Sequence, residues 1–157
     1  MALIRRKFLN IMKKVTIKDE TLKKISEKPS AGYTGYIYIR QLVSDKAKQN
    51  GDFGKIYIGL TTNMLDRNYH WHCPKVNYGG AKIEEARTKY GVDWDDWKWN
   101  VIKKVEADTP EELEMKLKHE EAKCIIAYNS VDNGFNSNYG LKKYLVGESQ
   151  CVTGIAC

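Results

Sequence analysis

Two short segments rich in isoleucine and tyrosine stand near the middle of the sequence: Tyr36-Ile37-Tyr38-Ile39 and Lys55-Ile56-Tyr57-Ile58-Gly59. Their β-branched and aromatic residues alternate with a period of two, which is typical of strands. Residues 45–54 between them are polar and rich in turn formers, so the pair is predicted to form an antiparallel hairpin. Alternation sends the isoleucines to one face, and the tyrosines with Gly59 to the other.

Three helices and a third strand are predicted after this hairpin. The helices cover residues 62–72, 80–90 and 110–128, and the strand covers residues 97–105. The signals are a cap at Thr62 or Asn63, a terminating Gly91, and a capping box at Thr109-Pro110-Glu111-Glu112. The predicted class is α+β, with a small three-stranded antiparallel sheet flanked by helices.

The length and composition indicate one globular domain. The chain has 157 residues, of which 42% are hydrophobic and 29% charged. Its apolar runs span only a few residues, far from the ~20 of a membrane helix. We divide it into a basic helical extension (residues 1–30), a main domain (31–140) and a carboxyl-terminal tail (141–157).

The positive charge is concentrated at the amino terminus. Residues 1–28 hold 9 basic and 3 acidic residues, whereas the remainder holds 17 of each. Lysine and arginine release counterions from phosphates, so this arm favours a nucleic-acid partner, although a solvated helix has the same composition. The candidate DNA-binding residues are Arg5, Arg6, Lys7, Lys13 and Lys14.

Glu121 interrupts the apolar stripe of the last predicted helix. That stripe comprises Leu113, Leu117, Cys124, Ile125 and Tyr128. A carboxylate on the packed side of a helix needs a cation, because an unpaired buried charge is costly. The sequence leaves two candidates open, a metal ion and a basic side chain.

The first predicted helix carries Arg67, His70 and Trp71 on one face, at i, i+3 and i+4. Arginine suits bidentate contact with phosphate, and a surface arginine is the alternative. His70, His72 and Cys73 resemble metal ligands, but residues two apart on a helix diverge, so they make a poor zinc site.

In this order, the elements resemble the GIY-YIG nuclease superfamily. The resemblance covers about residues 33–139 and rests on the two tyrosine segments, on Leu65-Asp66-Arg67, on Glu121, and on Gly134-Phe135-Asn136. Tyr36 stands where the family motif has glycine, so Gly35-Tyr36-Ile37 offers a second register. Trp71 occupies a position where relatives often carry histidine or tyrosine, and His70 is a possible substitute.

The resemblance implies a DNA endonuclease that hydrolyses phosphodiester bonds with one divalent ion, Mg²⁺ or Mn²⁺. Its catalytic set would be Tyr38, Tyr57, Arg67 and Glu121. Glu121 would hold the metal, Arg67 would bind the scissile phosphate, and Tyr38 beside Tyr57 would activate water.

Four further residues would support that set. Lys55 or Arg67 would supply the positive charge that a phenol needs to act as a base. Asn136 would orient the site, Gly59 would leave room for close approach, and His70 would assist the base.

Several functional alternatives stay open. The main rival is a non-catalytic nucleic-acid or protein-binding module with the same fold. Biological roles of phage, mobile-element, restriction or repair type are equally compatible, as are a homodimer and a partner that confers specificity. The four cysteines lack a disulfide framework, which favours a cytoplasmic protein, although Cys151 and Cys157 could close a small loop.

Overall fold

The computed structural model describes residues 21, 24, 25, 32–77 and 80–140. The elements in these ranges are β1 (Tyr33–Leu42), α1 (Asp45–Gln49), β2 (Ile56–Thr61), α2 (Met64–Trp71), α3 (Ala81–Tyr90), β3 (Trp97–Ala107) and α4 (Pro110–Ala127). Within the described ranges, no helix is both long and apolar enough to cross a membrane.

The three strands form one antiparallel sheet, as predicted, and their order is β2-β1-β3. The central strand β1 places Tyr38 opposite Gly59 of β2 and Val101 of β3. Ile37 pairs with Lys103, so one extra residue of β3 bulges beside Tyr38. Such a bulge increases the local twist of the strand and changes the direction of its side chains.

The two faces of the sheet differ as the alternation predicted. The aliphatic face packs against α4 in a buried cluster of Ile37, Ile58, Val105, Ala107, Leu113, Leu117 and Ile125. A side chain at Gly35 would come within 2.5 Å of Leu117, so this glycine lets the helix approach β1 closely. The opposite face carries the aromatic residues and is covered by α2 and α3.

Helix α2 begins and ends close to the predicted positions. The side chain of Asn63 caps it by accepting a hydrogen bond from the N–H of Asp66 at 3.1 Å. Its buried residues Met64, Asn68 and Trp71 follow a helical period and pack onto the aromatic face of the sheet.

Residues 45–54 connect β1 and β2 as predicted, and buried Ala47 anchors the short helix α1 in the core. Two local expectations were wrong. Tyr128 follows the end of α4 and is 48% exposed, so it does not belong to the buried stripe. The capping box is modified: Thr109 accepts from the N–H of Glu112, but the Glu112 carboxylate accepts from Asp108 rather than from Thr109.

The outer edge of β2 is closed by the loop that holds Gly134 and Asn136. The Asn136 amide accepts from the N–H of Ile58 and donates to its C=O, both at 2.9 Å. The N–H of Phe135 donates to the C=O of Ile56 at 2.8 Å. A side chain at Gly134 would lie 2.7 Å from the carbonyl oxygen of Ser130, so only glycine fits. This loop therefore replaces a fourth strand.

Part of the amino-terminal segment contacts the sheet at β3. Thr21 donates a hydrogen bond to the side chain of Asn100 at 2.5 Å, and Lys24 donates to the carbonyl of Val101 at 3.4 Å. Ile25 packs against the cluster that contains Tyr38. These three residues thus pack onto the domain, although they lie within the predicted extension.

Asn136→Ala should lower the free energy of unfolding by about 2 to 4 kcal/mol, because it leaves a buried N–H and C=O of Ile58 unsatisfied. Urea denaturation measures the change. Asn133→Ala, an exposed asparagine in the same loop, is the matched control and should be nearly neutral. Equal stability of the two variants would contradict the proposed edge closure.

Candidate active site

Tyr38 and Tyr57 lie side by side on the aromatic face, and we call them the tyrosine pair. Their ring centroids are 6.4 Å apart. The Tyr38 ring lies over Gly59, where a Cβ atom would be 2.5 Å from the phenolic oxygen. The glycine therefore makes room for the Tyr38 ring, whereas the sequence suggested that it would admit the substrate. Tyr38 is 0% exposed, while Tyr57 is half-buried.

Tyr36, the tyrosine of the alternative register, lies elsewhere on the same face. It pairs with Thr61 of β2 and Lys104 of β3. Burial, and then the charge of Glu106, raise the pKa of its phenol. The arrangement therefore joins Tyr38 rather than Tyr36 to the Tyr57-Ile58-Gly59 segment.

Arg67 and Glu121 come together from different elements. Arg67 lies on the flank of α2, directly after β2, and Glu121 lies in the middle of α4. Burial raises the pKa of the Glu121 carboxyl to about 7, and the positive charges of Arg67 and Lys118 oppose that rise. A Cβ at Gly140 would lie 3.8 Å from Glu121 Oε2, so the chain after Asn136 also borders the carboxylate.

Asn136 supports this region through the backbone. Its two hydrogen bonds to Ile58 fix the residue that stands between Tyr57 and Gly59. The predicted orienting residue therefore acts on the strand that carries the second tyrosine.

Two predicted supporting residues lie apart from the tyrosine pair. Lys55 forms an ion pair with Asp52 at 2.6 Å and stands four residues before Gly59, about 13 Å along an extended strand. His70 is exposed on α2, with its ring edge against Tyr69. The structure thus brings neither side chain to Tyr38.

Trp71 is a core residue. It is fully buried and contacts Tyr57 and Trp97, at centroid distances of 5.9 and 5.3 Å. The neighbouring His72 donates from Nδ1 to the carbonyl of Val92 and stacks on Trp94 at 3.6 Å. Burial lowers the pKa of His72 to about 4. The described residues contain no group of three or more His, Cys, Asp or Glu side chains suited to hold a metal ion.

Sequence reasoning missed Arg40, which is fully buried on the aromatic face. Its guanidinium lies 5.3 Å from the centroid of the Tyr38 ring and donates a hydrogen bond to Asn68. The signal was available, because Tyr36, Tyr38 and Arg40 share one face by the period of two.

The predicted DNA-binding residues Arg5, Arg6, Lys7, Lys13 and Lys14 lie outside the described residues. The described residues therefore supply an aromatic face with a tyrosine pair, and an arginine whose charge acts on a half-buried carboxylate. A phenol, a guanidinium and a carboxylate together can position water, bind an anion and hold a hard cation.

No protein-family model matches the chain, and no curated protein matches it significantly. One solved structure does: the catalytic domain of the intron endonuclease I-TevI, determined as a mutant. The match has a TM-score of 0.50 and 16% sequence identity, and it covers 67% of this chain and 94% of that domain. With the three-stranded antiparallel sheet and its flanking helices, this match shows that the chain has a GIY-YIG nuclease-like fold.

Proposed function

We propose that the protein is a metal-dependent DNA endonuclease of the GIY-YIG type. The observation that carries the proposal is the convergence of Arg67 and Glu121, on a fold similar to that of the I-TevI catalytic domain. At one site, a guanidinium can bind a phosphate and a carboxylate can bind a metal ion.

Glu121 is a suitable ligand for Mg²⁺ or Mn²⁺. Burial raises the pKa of its carboxyl to about 7, because the charged form is poorly solvated there. A bound cation would stabilise that charged form. Mg²⁺ in phosphoryl-transfer sites is often held by one or two carboxylates, with water and substrate phosphate completing its shell. Bound there, the ion would neutralise charge on the phosphate and on the leaving oxygen.

The chain's own residues would perform the remaining steps. Arg67 would donate hydrogen bonds to a non-bridging oxygen of the scissile phosphate, where negative charge grows. A phenolate of the tyrosine pair would take a proton from water as the water oxygen bonds to phosphorus. The bond from phosphorus to the leaving oxygen then breaks, and that oxygen takes a proton from solvent.

Within the pair, exposure favours a division of roles. Tyr57 is half-buried and can contact water, whereas Tyr38 is fully buried behind it. Tyr38 would therefore act on the water through Tyr57. It could act directly only if α2, which covers it, moved away from the sheet.

The complete burial of Tyr38 also favours the second candidate, a non-catalytic module that binds nucleic acid or protein. Incubation of the protein with supercoiled plasmid, with and without Mg²⁺ or Mn²⁺, separates the two. Nicked or linear product that depends on the ion supports the endonuclease. DNA binding without cleavage under any of these conditions would refute it.

The proposed partner is DNA, contacted in part by the basic arm, and the proposed setting is cytoplasmic. A homodimer or a specificity-conferring partner remains our hypothesis for how a target is chosen.

Glu121→Gln should abolish ion-dependent cleavage and make the metal-free protein more stable at pH 8. The folded carboxyl has a pKa of about 7, above its usual 4.5, so the folded state favours the protonated form. Wild-type stability is therefore lost as pH rises through 7, by about 1 to 3 kcal/mol. Melting curves at pH 8 and pH 4 measure the difference, which should vanish at the lower pH.

The same melting curves with added Mg²⁺ test the ligand role. The ion should stabilise the wild type at pH 8 but not Glu121→Gln. Glu120→Gln, beside it in an ion pair with Lys103, is the control and should respond like the wild type. An equal Mg²⁺ response in all three proteins would remove Glu121 as the metal ligand.

Arg67→Ala, Tyr57→Phe and Tyr38→Phe should each lower kcat by at least ~100-fold, the scale of losing one electrostatic or acid-base contribution. Single-turnover cleavage measures the effect at saturating enzyme. Tyr36→Phe is the matched control and should leave kcat nearly unchanged. A damaging Tyr36→Phe with a silent Tyr38→Phe would mean that the motif register is shifted by two residues.

Replacing Arg5, Arg6, Lys7, Lys13 and Lys14 with glutamine should weaken DNA binding and flatten its salt dependence. The slope of log affinity against log salt falls by about 0.9 for each DNA phosphate that the arm no longer neutralises. This variant retains Thr21, Lys24 and Ile25, whose contacts with the domain a larger deletion would destroy. Binding titrations at several salt concentrations provide the slope, and an unchanged slope would exclude the arm from the DNA interface.

A further inference from the structure

The aromatic face holds a buried cation that the proposed mechanism has not yet used. Arg40 is 0% exposed, and removing a guanidinium from water is strongly unfavourable unless other groups replace the solvent. Three rings surround it: its Cζ atom lies 4.6 Å from the centroid of Trp71, 5.3 Å from Tyr38 and 5.7 Å from Trp99. Its Nη2 group also donates a hydrogen bond to the Asn68 side chain.

The sheet register brings this cation to both members of the tyrosine pair. Arg40 is directly opposite Tyr57 on β2, and directly opposite residues on one face have Cβ atoms about 5 Å apart. It also follows Tyr38 by two residues and therefore shares its face. The guanidinium thus contacts the Tyr38 and Trp71 rings and lies on the same sheet face as Tyr57.

We propose that Arg40 is a positioning residue for the tyrosine pair, whose guanidinium holds the Tyr38 ring over Gly59 and favours the phenolate form of the pair. This inference rests on the proposed endonuclease function and assigns the source of the positive charge that its base needs. A phenol titrates near pH 10 without help, so a neighbouring fixed cation is what makes it a usable base.

The sequence had suggested Lys55 or Arg67 for this task, and the contacts argue against both. Lys55 is engaged with Asp52, and Arg67 lies where its charge acts on Glu121. An arginine also keeps its charge at every accessible pH and can lie flat against aromatic rings, whereas a lysine in such a pocket loses its proton easily.

Other titratable groups lie on the elements packed around the pair. Tyr36 shares its strand face, and Lys24 donates to the carbonyl of Val101. On α2, Arg67 lies on the flank and His70 on the exposed surface, and on α3 the buried Arg87 lies 5.2 Å from the centroid of the Trp71 ring. Any measured titration must therefore be assigned to the pair by substitution.

The test compares the wild type with Arg40→Met, which removes the charge and keeps the length of the side chain. For each protein, phenolate absorbance is measured as a function of pH. The same measurement on that protein carrying Tyr38→Phe or Tyr57→Phe is then subtracted, which leaves the titration of the tyrosine pair. We expect Arg40→Met to raise the midpoint of the pair by at least one pH unit. Lys98→Met, which removes an exposed charge from β3, is the control and should not move the midpoint.

Cleavage gives the second readout. Arg40→Met should lower kcat at neutral pH by at least ~10-fold and shift the ascending limb of the pH-rate profile to higher pH, together with the phenolate midpoint. A folded Arg40→Met protein whose midpoint and profile match those of the wild type would overturn the proposal and make Arg40 a packing residue only.

Asn68→Asp keeps the proposal testable if Arg40→Met does not fold. The new carboxylate would face the guanidinium and offset its charge. The hydrogen bond from Arg40 to Oδ1 would be kept, and none would be lost at the other position, because Asn68 Nδ2 has no hydrogen-bond partner in the described structure. The midpoint should again rise, and an unchanged midpoint in a folded Asn68→Asp protein would refute the role. The absorbance titration needs no DNA, so the effect of Arg40 can be measured even if the protein cleaves no DNA. Absence of cleavage would refute the proposed nuclease function, and an unchanged phenolate midpoint would refute the role of Arg40.

Discussion

The contact between the Tyr38 ring and Gly59 fixes the register of β1 against β2, and the rest of the site depends on that register. Any side chain at position 59 would collide with the phenol, so no other residue of β2 can take this place opposite Tyr38. A slip of one residue would exchange the aliphatic and aromatic faces. In the observed register Tyr57 faces Arg40, and the end of β2 leads directly into α2, which carries Arg67.

Regular patterning made most of the fold predictable. The period of two identified both strands of the hairpin and their faces, and capping residues gave the starts of α2 and α4 to within two residues. Tertiary packing decided the exceptions. Ala47 lies in a short helix whose methyl group is buried in the core. Tyr128 is exposed because α4 ends before it.

The site was less predictable, because its charges come from different elements. The position of Glu121 in an apolar stripe predicted a carboxylate that needs a cation, but the sequence could not show that the charge of Arg67 acts on it from another helix. Arg40 was overlooked because a lone arginine in a strand normally faces water. Its burial depends on Trp71, Trp99 and Asn68, which are distant in sequence and meet only in the folded chain.

The short edge strand β2 joins the two halves of the site. Helix α4 covers the aliphatic face and α2 covers the aromatic face, so Glu121 and Arg67 can meet only around an edge of the sheet. An open strand edge would expose unpaired N–H and C=O groups at that place. The Asn136 side-chain amide hydrogen-bonds the N–H and C=O of Ile58, which a fourth strand would otherwise pair. A fourth strand would also widen the sheet between Glu121 and Arg67. The Gly134-Phe135-Asn136 loop therefore closes the sheet and keeps its edge narrow, and in the proposed mechanism this would let residues from opposite faces act on one phosphate.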